Sequence, residues 1–127
     1  MGLDQYAYLA NKANEDWESH QEIAYWRKHP NLQGWMESLW KRKLHESNKE
    51  IPDSEWGSAF NGVELELTWE DIDELEAIIK KRRLPSTQGF FFGDNSDQYY
   101  YEKDLEFIKN ARTELFSGLR VFYNSSW

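Results

Sequence analysis

The sequence predicts an α+β fold: a single domain over residues 1–127 in which a small, mostly antiparallel sheet carries three to four packed helices. Three observations predict it. Short runs near both ends and in the middle of the chain alternate apolar with polar residues, the period of strands that bury one face. Longer stretches between them place apolar residues at helical spacing. Aromatics make up 17% of the chain, seven each of Trp, Tyr and Phe, which supplies core volume although only 39% of residues are hydrophobic.

Leu3, Gln5, Ala7 and Leu9 alternate with Asp4, Tyr6 and Tyr8, a strand with aliphatics on one side and tyrosines on the other. Residues 11–16 form a polar connection. From about His20 to His45 the pattern reads as helical, interrupted by Pro30. Proline lacks the amide proton a helix interior needs, so the expectation is a kink, or two helices with Pro30 in the first turn of the second. Leu32, Trp35, Met36, Leu39 and Trp40 mark that second piece's buried stripe. Residues 48–62 read as a long polar loop. Val63, Leu65 and Leu67 then alternate with Glu64 and Glu66 in a half-buried strand. Thr68 caps the next helix, with Asp71 completing a weak capping box and Ile72, Leu75, Ile78 and Ile79 facing inward until Pro85. A further helix over Asp97 to Ser117 turns Leu105, Ile108, Ala111 and Leu115 inward and stops at Gly118. Leu119, Val121 and Tyr123 alternate with Arg120, Phe122 and Asn124 in a last strand.

The net charge of −8 disfavours direct nucleic-acid binding, which needs a basic footprint. The runs Lys41 to Lys43 and Lys80 to Arg83 fall near expected helix C-termini, where cations suit the dipole, with an anion site as the alternative. There is no cysteine, so thiolate chemistry is excluded. No apolar run approaches a membrane span, and the N-terminus lacks the pattern of a secretion signal, so the expected compartment is the cytoplasm with no membrane partner.

Candidate chemistry is concentrated in three segments. In the first, Arg27, Asn31, Gly34 and Ser38 share one face if the helix is continuous, and Tyr25, Trp26 and His29 adjoin it. His29 is the best general-base candidate, against the plainer reading of a surface histidine before a proline. The second segment, LPSTQGFFFGD at residues 84–94, supplies Thr87, Gln88 and Phe91 between two glycines, followed by Tyr99, Tyr100 and Tyr101. Rings of this kind stack on planar ligands such as nucleobases; the plainer reading is one more strand in the sheet. The third is Asn124, Ser125 and Trp127. His20, His29 and His45 lack zinc spacing, and the residues from Asp94 lack the glycine and glutamate of a calcium loop. No nucleophile elbow, phosphate loop or dinucleotide fingerprint is present. No metal and no cofactor are expected, and no residue is assigned a catalytic role.

The stretches MGLDQYAY, EIAYWRKHPNLQGWM, LPSTQGFFFG, YYYEKDLEFIKNA and FYNSSW span nearly the whole chain. In them the sequence resembles a family of small uncharacterised proteins of bacteriophages and bacteria, some of which carry a phosphoglycerate kinase label. Members commonly place proline directly before threonine in the aromatic loop, whereas here Ser86 lies between Pro85 and Thr87. No kinase nucleotide motif accompanies the resemblance, and that activity is not carried over.

The resemblance implies a viral or mobile-element setting in a bacterial cytoplasm. Together with the aromatic and cationic residues it yields three expectations. The first is a counter-defence protein that sequesters a nucleotide-derived signal in an aromatic pocket built by Tyr25, Trp26, Arg27, His29, Asn31, Thr87, Gln88, Phe91, Tyr99, Asn124, Ser125 and Trp127. The second is an inhibitor that binds a host protein. The third is a nucleotide-degrading enzyme. A two-fold homo-oligomer in which Trp127 crosses into a neighbouring subunit is a further arrangement the composition allows.

Overall fold

The computed structural model describes residues 3–10, 21–49, 60, 62–84 and 97–126. The elements run β1 (Asp4–Ala10), β2 (Gln21–Arg27), α1 (Pro30–Glu46), β3 (Leu65–Leu67), α2 (Trp69–Lys80), α3 (Asp97–Phe116) and β4 (Arg120–Ser126). The four strands form one antiparallel sheet in the order β2-β1-β4-β3, which with the three helices makes the fold α+β. The polar connection, most of the long loop, the FFF stretch with Pro85, and Trp127 lie outside the described residues. Among the described residues, no helix is long and apolar enough to cross a membrane.

Alternation governs β1. Leu3, Gln5, Ala7 and Leu9 are buried on the helix side, where Ala7 lies opposite Ala24 of β2 and Tyr123 of β4. The core gathers there. Trp26, Leu65, Leu67, Val121 and Tyr123 from the sheet meet Leu32, Trp35, Met36 and Leu39 of α1. Ile72, Leu75 and Ile79 of α2 and Phe107, Ile108 and Ala111 of α3 complete it. The other face carries a smaller cluster in which Tyr8 stacks on Phe122 at 5.8 Å beside Tyr6.

One element departs from expectation. Residues 21–27 form a strand, so the helical reading before Pro30 is corrected. Ile23, Tyr25 and Trp26 suit a pleated surface, and β1 offers a partner to every residue of the segment but Ile23. His29 precedes a proline, which disfavours a helical backbone there, and it takes φ −107° and ψ 76°. Lys28 reverses the chain at φ 57°, and α1 then starts with Pro30 in its first turn, as expected. Arg27 therefore cannot share a helical face with Asn31, Gly34 and Ser38, and Asn31 is itself buried.

Each helix ends in a Schellman pair. Asn48 and Lys49 donate to His45 and Leu44, Arg82 and Arg83 to Ile79 and Ile78, and Gly118 and Leu119 to Leu115 and Glu114. The left-handed residue is Asn48 in α1, Arg82 in α2 and Gly118 in α3. At the start of α2 the capping box is complete: the Thr68 hydroxyl accepts from the Asp71 amide, and the Asp71 carboxylate accepts from Thr68 N–H at 2.9 Å. The basic run of α1 does more than complement a dipole, since Lys43 pairs with Asp71 at 2.5 Å and Arg42 grips Glu74 through two bonds. Arg112 joins α3 to Asp73 and Glu76 of α2 in the same way.

The left-handed residues give a first prediction. Lys28 is exposed and its side chain makes no ion pair among the described residues, so Lys28→Gly removes backbone strain and is expected to stabilise the fold by about 0.5–1 kcal/mol. Arg82→Gly is expected to gain nothing, because the Arg82 guanidinium lies 4.2 Å from the Tyr101 ring centre and that contact goes with the strain. Urea unfolding of the two variants beside the parent checks both.

Candidate functional site

A groove of about 630 Å³ runs between the edge strand β2 and α3. Ile23, Ala24, Tyr25 and Arg27 line one side, and Tyr99, Tyr100, Glu102, Lys103, Glu106, Phe107 and Asn110 the other. Tyr99 stands 83% exposed, with its ring at right angles to that of Tyr100. Arg27 and Lys103 make no ion pair among the described residues.

Tyr100 fastens the two walls. Its hydroxyl donates to the backbone carbonyl of Arg27 at 2.5 Å and accepts from the Arg27 N–H at 3.2 Å. Its ring stacks on His29 at 4.8 Å between centres. Tyr25 turns its side chain to the other face of the sheet, where its hydroxyl donates to Asp4 at 2.7 Å and its ring meets Tyr6. The bond to Asp4 raises the Tyr25 hydroxyl above the ordinary tyrosine pKa.

Behind Tyr100 lies a buried polar network. The Asp104 carboxylate accepts from Trp26 Nε1 at 2.9 Å and pairs with His29 Nε2 at 2.8 Å. Gln5 clasps the His29 backbone, accepting from its N–H at 2.8 Å and donating to its carbonyl at 3.1 Å. The same Gln5 amide donates to the Tyr123 hydroxyl at 2.9 Å, which in turn donates to Gln33. Five elements, β1, β2, α1, α3 and β4, are thereby tied beneath the groove. Burial of this kind requires paired groups, and the pairs fix the relative position of β2 and α3.

The expected site residues divide three ways. Tyr25, Arg27 and Tyr99 line the groove. Trp26, His29, Asn31 and Ser125 are buried, and Asn124 lies on the opposite face of the sheet across from Tyr6. Thr87, Gln88, Phe91 and Trp127 lie outside the described residues. The surface reading of His29 is corrected: it has no exposed surface with which to act on a bound molecule as a general base. Lys103, Glu102, Glu106 and Asp104 escaped the sequence reading. Asp104 had a usable signal, since it stands four residues before Ile108 and seven before Ala111, on the inward stripe of α3. Gln5, an amide between inward Leu3 and Ala7, had another. Among the described residues no group of three or more His, Asp or Glu is placed to hold a metal ion.

Fold and site together define a small α+β protein with an open, aromatic-walled groove at one edge of its sheet. No protein-family model, curated protein or solved structure matches the chain.

Proposed function

We propose that the protein binds a small nucleotide-derived molecule in the groove between β2 and α3 and sequesters it without catalysis. The resemblance to bacteriophage proteins puts that activity in counter-defence, within a bacterial cytoplasm. The supporting observation is the groove's mixture of groups. Tyr99 offers an exposed ring for base stacking. Arg27 and Lys103 suit phosphate oxygens, and Glu102 and Glu106 suit ribose hydroxyls. The volume falls in the usual range of small-molecule sites, roughly 300–1,000 Å³.

Calorimetric titration with cyclic dinucleotides, cyclic trinucleotides and ADP-ribose tests the reading. Binding is expected for at least one of them, with the molecule recovered unchanged after long incubation; no heat at concentrations well above micromolar sinks the idea. Tyr99→Ala and Arg27→Ala are each expected to weaken binding about tenfold while leaving the unfolding midpoint unmoved, because both side chains are exposed.

The second reading is a protein-binding inhibitor. The observation favouring it is the exposure of two large apolar side chains away from the groove, Trp69 at the start of α2 and Phe116 at the end of α3. A stable protein partner recovered from bacterial lysate, and lost in a Trp69→Ala, Phe116→Ala variant, would establish that reading over ligand sequestration.

A further inference from the structure

We propose that the groove recognises its ligand through the backbone of Tyr25, whose outward N–H and C=O read one planar heterocycle carrying a neighbouring donor and acceptor. This inference rests on the nucleotide-binding reading of the groove and narrows it to a class of base.

Strand register sets the direction of these backbone groups. Lys28 N–H donates to Leu3 C=O at 2.9 Å, which makes Leu3 and Lys28 a hydrogen-bonded pair. Antiparallel ladders alternate bonded and non-bonded pairs, and the register runs Asp4 with Arg27, Gln5 with Trp26, and Tyr6 with Tyr25. Arg27 and Tyr25 therefore point their backbone groups away from β1, out of the sheet edge. At Arg27 the outcome is visible, because the Tyr100 hydroxyl takes both groups at once. Tyr25 stands two residues earlier on the same edge and lines the groove. Its side chain is committed to Asp4 and Tyr6 on the far face, which leaves the backbone as its contribution to the groove.

The length of this edge decides the occupant. On one side it stops at Arg27, already capped by Tyr100. On the other the ladder shifts, with Ala7 opposite Ala24 but Tyr8 opposite Glu22, so Ile23 is the extra residue of a bulge and breaks the pairing line. One donor–acceptor pair remains between these limits. An added peptide strand pairs through successive outward residues and finds too few here. A single base edge needs only one, the same donor-and-acceptor pattern with which an Asn side chain reads adenine. Tyr99 is placed across the groove to stack on that base, with Arg27 and Lys103 at hand for its phosphates.

The experiment titrates the full chain with AMP and UMP, and with N6,N6-dimethyl-AMP and 3-methyl-UMP, in which methyl groups remove the base's donor. The Tyr25 amide is followed by NMR in parallel. At least one parent nucleotide is expected to bind at least about tenfold more tightly than its methylated form and to slow exchange of the Tyr25 amide. Equal binding of parent and methylated forms, with the Tyr25 amide unmoved, overturns the backbone reading and leaves the groove as a nucleotide site. Absence of binding by all four, beside binding of a cyclic nucleotide or ADP-ribose in the calorimetric titration, overturns the backbone reading alone; absence of binding in both experiments overturns the nucleotide reading as well. An extended ten-residue peptide that protects the Tyr25 and Arg27 amides together also overturns it, in favour of strand addition.

Discussion

Asp104→Ala is expected to cost the fold about 3–5 kcal/mol, the usual consequence of removing one partner from a buried pair. Asp104 is 1% exposed and His29 is fully buried. Alanine leaves the Trp26 N–H and His29 Nε2 without their carboxylate in a place closed to solvent, each at about 1–3 kcal/mol. A domain of this size is commonly stable by only about 5–15 kcal/mol, so the variant approaches global unfolding at modest urea. Asp104→Asn separates shape from charge: its oxygen can still accept from Trp26, and its amide can donate to an unprotonated His29 Nε2. It is expected to lose about half as much. Urea unfolding followed by tryptophan fluorescence measures both, and a loss below about 1 kcal/mol for Asp104→Ala would show that the network does not carry the fold. The groove should weaken with it, since Asp104 lies one turn after Tyr100 on α3 and Trp26 precedes Arg27 on β2.

How far the sequence is legible follows from what each residue pattern reports. β1, β3 and β4 announce themselves because one face is buried without interruption, as Leu65 and Leu67 flank a half-buried Glu66. α2 is legible down to its cap, because Thr68 and Asp71 are three residues apart and their bonds are local. β2 is hidden by its own bulge: Ile23 shifts the register, so Ile23, Ala24 and Tyr25 are all half-buried and the two-residue period is lost. The stop before α1 was readable from Pro30, but that signal says where a helix begins and nothing of what precedes it. The site is less legible than the fold. Tyr25, Arg27 and Tyr99 could be suspected from residue type, yet the groove exists because β2 and α3 meet, and the bond from His29 to Asp104 spans 75 positions. No local spacing encodes such a contact. An inward polar residue such as Gln5 or Asp104 signals that a buried network exists without saying which partners close it.

Above pH 10 the protein is expected to lose stability at about 3 kcal/mol per pH unit, through two tyrosines. Burial raises the hydroxyl of Tyr123 far above its ordinary value, outweighing the hydrogen bond from Gln5. Burial also raises Tyr8, and the 2.6 Å bond to the Glu64 carboxylate adds to it, because a phenolate there would face an anion. The sign follows from where the proton sits. In the unfolded chain both hydroxyls ionise near pH 10, whereas in the native state both stay protonated well beyond it. The folded state then binds more protons, so their contribution is fully present below the unfolded value and falls as pH rises past it. Each contributes a slope of about 1.4 kcal/mol per unit. Tyr6 and Tyr25 shift in the same direction but are less deeply buried and add less. The urea midpoint should hold steady from neutral pH to about 9.5 and drop steeply above 10, with the part of the tyrosinate absorbance that belongs to Tyr8 and Tyr123, read as the difference from the Tyr8→Phe, Tyr123→Phe variant, rising together with unfolding rather than before it. Tyr123→Phe costs about 1–3 kcal/mol at neutral pH, because Gln5 and Gln33 lose the hydroxyl between them, yet it should halve the alkaline slope. Adding Tyr8→Phe should remove most of the remainder. An alkaline slope unchanged in the double variant would assign the pH dependence to other groups and show that the two hydroxyls are not held protonated by the fold.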